Sequence, residues 1–209
     1  MAHREIETKL PIAALAPLNR RLRALGFAPD TPRRLERNQL FDFPDGSLRA
    51  AGRLVRLREC GGEKRLTIKA PARVQGGIKS RPEYETVIGD FSPLLELFTS
   101  LGMVRTWYYE KYRREWLRGG VRLFVDETPA GNYLEIEAGA AAIRSFARSL
   151  GFSPAEFIGD SYFSLYCRLK NSPRPGDMRF RRRRVLTRGQ STPGVHRPRK
   201  VPRRGRPKK

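Results

Sequence analysis

The sequence predicts an α+β domain, in which helices pack on a largely antiparallel sheet, followed by a disordered basic tail. Three observations support this prediction. Eight segments alternate apolar and polar residues with the period of two that a strand with one buried face shows. Glycine pairs separate several of these segments, as tight hairpin turns do. The positive charge is concentrated at the C-terminus, where large apolar side chains are few.

The strand-like segments follow one another through the first two thirds of the chain. They are residues 3–10, 36–43, 53–60, 64–70, 80–88, 108–117, 121–127 and 132–138. Gly61-Gly62 and Gly119-Gly120 each stand between two such segments and predict tight turns. At least part of the sheet is therefore expected to be antiparallel.

Helical periodicity appears in three longer segments, at about 12–25, 91–101 and 140–150, and in a short one at 161–169. The first two are expected to begin near Pro11 and Ser92-Pro93, because proline is favoured in the first turn of a helix. The second and third are expected to end at Gly102 and Gly151, since glycine is favoured just beyond a helix.

The charge distribution divides the chain into a body, residues 1–170, and a tail, residues 171–209. Of the formal net charge of +22, +14 lies in the tail, which holds 15 Lys and Arg residues and a single acid, Asp177. The tail also contains six prolines. Such a segment cannot bury enough apolar surface to offset its ordering entropy, so we expect it to be disordered.

Several classes of protein are excluded by composition. Cys60 and Cys167 stand far apart, and neither has a second cysteine or a histidine at metal-ligand spacing, which argues against a zinc site or a disulfide framework. No segment approaches the roughly 20 apolar residues of a membrane span. The N-terminus lacks a signal-type apolar region. We expect a cytoplasmic protein that does not bind a membrane.

Charged residues recur on one face of nearly every predicted strand. In the first strand Glu5, Glu7 and Lys9 share a face, and Ile6 and Leu10 share the other. The later strands repeat the pattern with Arg56 and Arg58; Lys69; Arg81, Glu83 and Glu85; Lys111 and Arg113; Asp126; Glu135 and Glu137. An open sheet would present this face to water. A barrel with the helices outside would enclose it, and the pattern allows both.

A barrel of this kind would need a ligand, because burying many charges without one is unfavourable. A polyanion together with metal ions is the natural occupant. Lysine and arginine would neutralise phosphate oxygens, and carboxylates would hold Mg²⁺ or Mn²⁺ through oxygen ligands.

Six short motifs occur in the order of a known family. They are Glu5-Ile6-Glu7-Thr8-Lys9; Leu54-Val55-Arg56-Leu57-Arg58; Leu66-Thr67-Ile68-Lys69; Arg81-x-Glu83-x-Glu85; Lys111-x-Arg113; and Glu135-Ile136-Glu137. Asp126 and a closing Ser161-Tyr162 with Leu165 extend the match. In this arrangement the chain, over about residues 3–170, resembles the CYTH family, the triphosphate tunnel metalloenzymes, which includes class IV adenylyl cyclases and thiamine triphosphatases.

The resemblance implies an eight-stranded antiparallel barrel that binds a triphosphate and a divalent metal, Mg or Mn. It implies metal-side carboxylates at Glu5, Glu7, Glu83, Glu85, Asp126, Glu135 and Glu137. It implies phosphate-binding residues at Lys9, Arg56, Arg58, Lys69, Arg81, Lys111 and Arg113. Among these, Glu5, Glu7, Lys9, Arg56 and Arg58 are the candidate catalytic set. For Glu85 and Asp126 a purely structural ion pair is the alternative.

The motifs leave three functions open. Attack by water on the terminal phosphorus would make the protein a triphosphatase, acting on inorganic triphosphate, thiamine triphosphate or a nucleoside triphosphate. Attack by the ribose 3′-hydroxyl on the α-phosphorus of ATP would make it an adenylyl cyclase. A binding protein for nucleotide or polyphosphate, with the tail as its main output, is the third. We favour hydrolysis, because it requires the fewest further features.

Two further features have alternative interpretations. The tail ends in Arg204-Gly205-Arg206-Pro207, which resembles an AT-hook, a minor-groove binding motif. The alternative is a basic tail that contacts DNA, RNA or polyphosphate without preference. The aromatic group Trp107, Tyr108, Tyr109 and Tyr112 is predicted to serve packing within the fold. Stacking on an organic moiety of the substrate is its alternative.

Overall fold

The structure, a computed structural model, describes residues 3–181. Within this range the chain forms ten strands, five α-helices and one 3₁₀ turn. The strands are β1 His3–Ile12, β2 Ala28–Pro29, β3 Arg34–Asp42, β4 Leu54–Cys60, β5 Glu63–Lys69, β6 Arg73–Gln75, β7 Ile78–Ile88, β8 Val104–Arg118, β9 Val121–Thr128 and β10 Gly131–Glu137. The helices are α1 Leu15–Ala24, α2 Ser47–Ala50, α3 Ser92–Ser100, α4 Ala140–Ser149 and α5 Tyr162–Lys170, and the 3₁₀ turn is Pro154–Glu156.

Eight of the strands form a closed antiparallel barrel. Their order is β1-β10-β9-β8-β3-β4-β5-β7, and β7 pairs back onto β1. Closure places Lys9 opposite Glu135 on one side of β1 and Glu5 opposite Arg81 on the other. The barrel is therefore confirmed, and the open sheet is excluded. The short strands β2 and β6, which alternation did not predict, pair with β8 and β7.

The apolar face of the barrel points outward, toward the helices. One core lies between the barrel and helices α1 and α4, and its fully buried members include Leu10, Leu22, Leu134 and Ile143. A second core lies beneath α3. It consists of Phe41, Leu57, Phe98 and Met103. Helices cover one face of the strands, so the alternate residues are turned to the interior, and this is where the charges lie.

The first helix begins later than predicted. The strand β1 continues through Pro11 and Ile12 because these residues still pair with Tyr133 and Asn132 of β10. Helix α1 consequently begins at Leu15. Helix α2 was not predicted, and a side chain from the preceding strand explains it. The buried Asp42 carboxylate accepts the backbone N–H groups of Leu48 and Arg49, at 2.9 and 3.0 Å, and so fixes the first turn.

The ordered chain continues beyond Lys170, where we expected the body to end. Met178 is fully buried, and its backbone forms two hydrogen bonds with β8. Its N–H donates to the Tyr108 carbonyl and its carbonyl accepts from the Glu110 N–H, both at 2.9 Å. This segment can pair with β8 because β8 is longer than β9. The pairing of β9 with β8 ends at Tyr112, which leaves the edge of β8 before Tyr112 free on that side. The boundary prediction missed it because a few well-placed contacts outweigh an unfavourable composition.

The rest of the tail, including Arg204, Gly205, Arg206 and Pro207, lies outside the described residues. Cys60 and Cys167 are both free thiols. None of the helices found between residues 3 and 181 has the length and apolarity needed to cross a membrane.

Candidate functional site

The barrel encloses a cavity of about 1260 Å³ whose walls are charged. All the predicted tunnel residues line it except Asp126. They are Glu5, Glu7, Lys9, Arg56, Arg58, Lys69, Arg81, Glu83, Glu85, Lys111, Arg113, Glu135 and Glu137. Each comes from the alternate positions of a barrel strand that point inward. Six different strands contribute, so the group exists only once the barrel has closed.

The β1 wall is held by a network of ion pairs. The Lys9 ammonium lies 3.1 Å from Glu7 and 3.2 Å from Glu135, and all three side chains are buried. Lys79, on β7, binds the same Glu7 carboxylate. Two strands that pair with β1, one on each side, thus supply the partners of its charged face.

The neighbouring wall follows the same design. Glu5 is bound by Lys69 at 2.6 Å and by Arg81 at 3.1 Å. Lys69 also lies 2.6 Å from Glu83. If Lys69 turned toward a phosphate group, each carboxylate would keep a second cation nearby, Arg81 for Glu5 and Arg56 for Glu83.

The two arginines of β4 face the cavity with incompletely satisfied guanidinium groups. Arg56 approaches Glu83 and Glu85 at 3.8 Å and the Tyr109 hydroxyl at 3.4 Å. Arg58 is bound to Glu85 and lies 3.6 Å from Glu36. The Nε atoms of both arginines are buried and have no hydrogen-bond partner among residues 3–181. Unsatisfied buried donors are unfavourable.

Asp126 lies behind the cavity wall, with no exposed surface. Its carboxylate accepts hydrogen bonds from Lys111 at 3.0 Å, from Arg113 at 2.6 and 2.7 Å, and from the Tyr162 hydroxyl at 2.7 Å. This position fits the structural ion pair better than a metal ligand. Asp126 orients two cations that do reach the cavity.

Burial and nearby charges act against each other on the interior carboxyl groups. Burial alone would raise the pKa of Glu7, Glu36 and Glu135, but the surrounding lysines and arginines hold the pKa of each below its usual range. Burial likewise acts to raise the pKa of Glu85, and Arg58, Thr67 and Arg56 lower it to about 2. These four carboxylates are therefore ionised at neutral pH.

Glu137 differs from the other carboxylates. Burial, with repulsion from Glu5 and Glu7, raises its pKa despite a hydrogen bond from His3. Among the described residues, His3 is its one basic partner within 4 Å. Glu5, Glu7 and Glu137 thus form a region where negative charges repel one another.

The donor set fits Mg²⁺ or Mn²⁺ in its chemistry, since these ions prefer carboxylate oxygens. Between residues 3 and 181, however, no group of three or more Asp, Glu, His or Cys side chains is arranged as a metal site. Lysine and arginine hold most of the carboxylates instead. Glu137, which has no lysine or arginine within 4 Å among residues 3–181, is the carboxylate beside which a cation would relieve the repulsion from Glu5 and Glu7.

Two buried charges of the cavity were missed. Glu36 on β3 lies 3.5 Å from Lys111 and 3.6 Å from Arg58, and Lys79 on β7 binds Glu7. Burial, and repulsion from Lys9, lower the pKa of Lys79 to about 8. Extending the alternation of Arg81, Glu83 and Glu85 back by one position would have identified Lys79. Glu36 shares its face of β3 with Asn38, so this strand lacks the repeated charges that identified the other cavity strands.

Trp107 and Tyr109 pack within the fold and also line the cavity. Trp107 stacks on Tyr109 with ring centroids 4.9 Å apart, and both belong to a cluster with Tyr162, Tyr166 and Met178. This cluster lies at one end of the cavity. The exposed Arg34 and Arg122 line the other end, so the walls lead from a basic, accessible end to a buried aromatic one.

Comparison with solved structures supports the barrel. The PH1012 protein of Pyrococcus horikoshii superposes with a TM-score of 0.67 at 23% identity, covering 77% of this chain and 98% of that one. A candidate adenylate cyclase of Vibrio parahaemolyticus gives a TM-score of 0.67 at 18% identity, covering 78% and 97%. At these identities the likeness concerns the fold.

A third structure is a candidate adenylyl cyclase of Hippeastrum with a dominant triphosphatase activity. It superposes with a TM-score of 0.58 at 19% identity and covers 80% of this chain and 96% of its own. No curated protein sequence matches the chain. The CYTH domain family matches residues 3–150, which contain all eight barrel strands and all the cavity residues predicted from the motifs. The chain belongs to the CYTH domain family.

Proposed function

We propose that this protein is a metal-dependent phosphohydrolase that removes the terminal phosphate of a triphosphate inside the barrel. One observation carries the proposal: Arg56 and Arg58, whose buried Nε atoms have no hydrogen-bond partner among residues 3–181, line a cavity whose other walls hold lysines and carboxylates. Membership in the CYTH domain family and the triphosphatase activity of the Hippeastrum relative also support it.

The cations of the cavity would bind the phosphate chain. Arginine offers two parallel donors to a phosphate group, and lysine offers a compact charge, so Arg56, Arg58 and Lys69 can hold successive phosphoryl oxygens. A triphosphate would replace carboxylates as their partner. The enclosed, low-dielectric site makes each of these contacts stronger than it would be in water.

Glu5, Glu7 and Glu137 would hold the divalent cation, which neutralises the developing charge on the phosphoryl oxygens when bound. The protein's own residues then contribute positioning and electrostatic stabilisation, which dominate phosphoryl transfer. Asp126 holds Lys111 and Arg113 in place and so fixes part of the phosphate site before the substrate enters.

The same site could support cyclisation, since both reactions need a bound triphosphate. Only the nucleophile and the attacked phosphorus differ. Product analysis separates them: the full-length protein is supplied with Mg²⁺ or Mn²⁺ and, in parallel, with inorganic triphosphate, thiamine triphosphate and ATP. We expect orthophosphate from at least one of them. Cyclic AMP with pyrophosphate from ATP would identify a cyclase instead.

The site is tested by comparing two double variants, one that removes carboxylates inside the cavity and a control that removes carboxylates outside it. Glu5→Gln/Glu7→Gln removes two cavity charges, and Glu59→Gln/Glu96→Gln removes two charges outside the cavity. Activity lost in the first variant and kept in the second supports the proposed site. Binding is measured in parallel from the rise in melting temperature with added triphosphate. A large rise without any turnover would leave a binding protein.

A further inference from the structure

A basic surface covers the outside of the barrel where α1 and α4 lie side by side. Its exposed residues, which we call the α1–α4 surface, are Arg20, Arg21, Arg23, Arg144 and Arg148. The two helices are in direct contact. Arg21 donates a hydrogen bond to the Ser149 carbonyl at 2.7 Å, and the rings of Phe27 and Phe146 lie 5.2 Å apart.

Neither of the two helices contains an acidic residue. The segments 11–29 and 138–155, which contain the two helices, have no Asp or Glu. In the described part of the chain none of the five arginines forms a salt bridge, whereas the exposed arginines Arg33, Arg105 and Arg168 do. Arginines three or four positions apart on one helix repel each other. Arg21, Arg23 and Arg148 lie in the last turn of their helices, where the helix dipole favours a cation, but no carboxylate of either helix offsets the repulsion.

The basic surface continues onto the outer face of β8. Arg23 lies over the Trp116 ring, 5.6 Å from its centroid, and Arg118 donates to the Leu25 carbonyl at the end of α1. Further along the same face, Tyr112 packs against Phe180 with ring centroids 5.1 Å apart. The surface thus runs from α4 toward the place where the described chain ends, at Arg181.

We propose that the α1–α4 surface binds nucleic acid through its phosphate backbone, without sequence preference. Closely spaced arginines that lack carboxylate partners match a row of phosphodiester groups, to which guanidinium groups donate paired hydrogen bonds. This binding would be electrostatic and would weaken steeply with salt, because each phosphate contact releases a counterion. None of the five arginines lines the cavity, so the function is separate from the triphosphate site.

An anionic membrane is the less suitable partner for this surface. Helices that bind membrane surfaces expose large apolar side chains beside their basic residues. The apolar residues of α1 and α4 instead face the core, with Leu22, Ile143 and Ala147 fully buried. No exposed large apolar side chain of the described chain belongs to either helix.

The test compares two triple variants of the full-length chain that lose the same charge. Arg20→Gln/Arg144→Gln/Arg148→Gln alters the α1–α4 surface. Arg53→Gln/Arg73→Gln/Arg174→Gln alters exposed arginines that also lack salt bridges but lie elsewhere. Binding to a labelled DNA duplex of about 20 base pairs is measured by fluorescence anisotropy over a series of KCl concentrations.

We expect the first variant to bind at least about tenfold more weakly at low salt and to lower the slope of log K against log salt by about 3. The second variant should change affinity by less than about threefold. Equal losses in both would reduce the effect to net charge and overturn the proposal, as would no loss in either. Loss of binding to phosphatidylserine vesicles with DNA binding intact would identify a membrane surface instead. Unchanged midpoints of unfolding in urea would confirm that both variants are folded.

Discussion

Lys9 and Glu135 lie directly opposite each other on β1 and β10, and the Lys9 Nζ atom is 3.2 Å from a Glu135 carboxylate oxygen. Lys9 is 3% exposed and also binds Glu7. Its charge is stabilised by two buried carboxylates, and these outweigh the burial that would otherwise lower its pKa. One lysine therefore ties the first strand of the barrel to the last and belongs to the proposed phosphate site.

Replacing Lys9 by methionine should lower both stability and activity. Removing one partner from a buried ion pair costs about 3–5 kcal/mol. We expect the lower value, about 3 kcal/mol, because Lys79 still binds Glu7 and Arg113 still binds Glu135. The measurement is unfolding in urea. The control is Arg4→Met, at an exposed position of the same strand, which should change stability by less than about 0.5 kcal/mol. Equal effects would show that the buried pair contributes nothing special.

Stability should fall in acid through the interior carboxylates. Glu85 has a pKa of about 2 in the folded protein against an ordinary 4.5, because Arg58, Thr67 and Arg56 outweigh its burial. The unfolded state therefore takes up the proton first. The contribution of Glu85 is complete above pH 4.5 and is lost as the pH falls toward 2. Urea midpoints between pH 6 and pH 2.5 should show this fall. Glu85→Gln should reduce its slope, and an unchanged slope would assign the effect to other groups.

The segment after α5 should be part of the folding unit. Met178 is fully buried among aromatic residues, so Met178→Ala should lower the free energy of unfolding by about 3 kcal/mol. Leu169→Ala, at a position 57% exposed, is the control and should have little effect. A chain ending at Lys170 should be less stable than one ending at Arg181. Equal stability of the two truncated chains would contradict this expectation.

Two neighbouring glycines offer a matched test of a close contact. Gly76 and Gly77 both have positive φ angles, of 54° and 73°. A Cβ atom on Gly77 would clash with the Phe157 carbonyl oxygen, whereas one on Gly76 would meet nothing within 4 Å. Gly77→Ala should therefore be less stable than Gly76→Ala by a further 1–3 kcal/mol or so, measured by chemical unfolding. Similar losses would mean that backbone strain alone matters at both positions.

The strands and the charges on their inner faces could be predicted because each depends only on neighbouring residues in the sequence. Alternation along each strand depends only on which side faces the helices, so β1, β4 and β10 and the charges on them were found. Closure of the barrel depends on the pairing of β1 with β7. Alternation could not predict this pairing, because strands of an open sheet show the same period of two. The resemblance to the CYTH family supplied that step, and the pairing of Glu5 with Arg81 confirms it.

The features that the sequence did not predict depend on how deeply a side chain is buried in the assembled barrel. Asp126 has the spacing of a cavity residue, but its neighbours Lys111 and Arg113 cover it, and no sequence pattern shows which of two charges lies in front. Met178 is one apolar residue in a segment rich in proline and arginine. Its burial follows from a gap beside β8 that only the assembled barrel creates.

The position of β1 between β7 and β10 has a consequence for synthesis on the ribosome. Strand β1 cannot complete its pairing until Glu137 has been made, because both of its neighbours come later in the chain. An unpaired strand with two free edges invites aggregation. Glu5, Glu7 and Lys9 keep one face of this waiting strand hydrated and charged. The residues proposed to bind metal and phosphate thereby also protect the nascent chain.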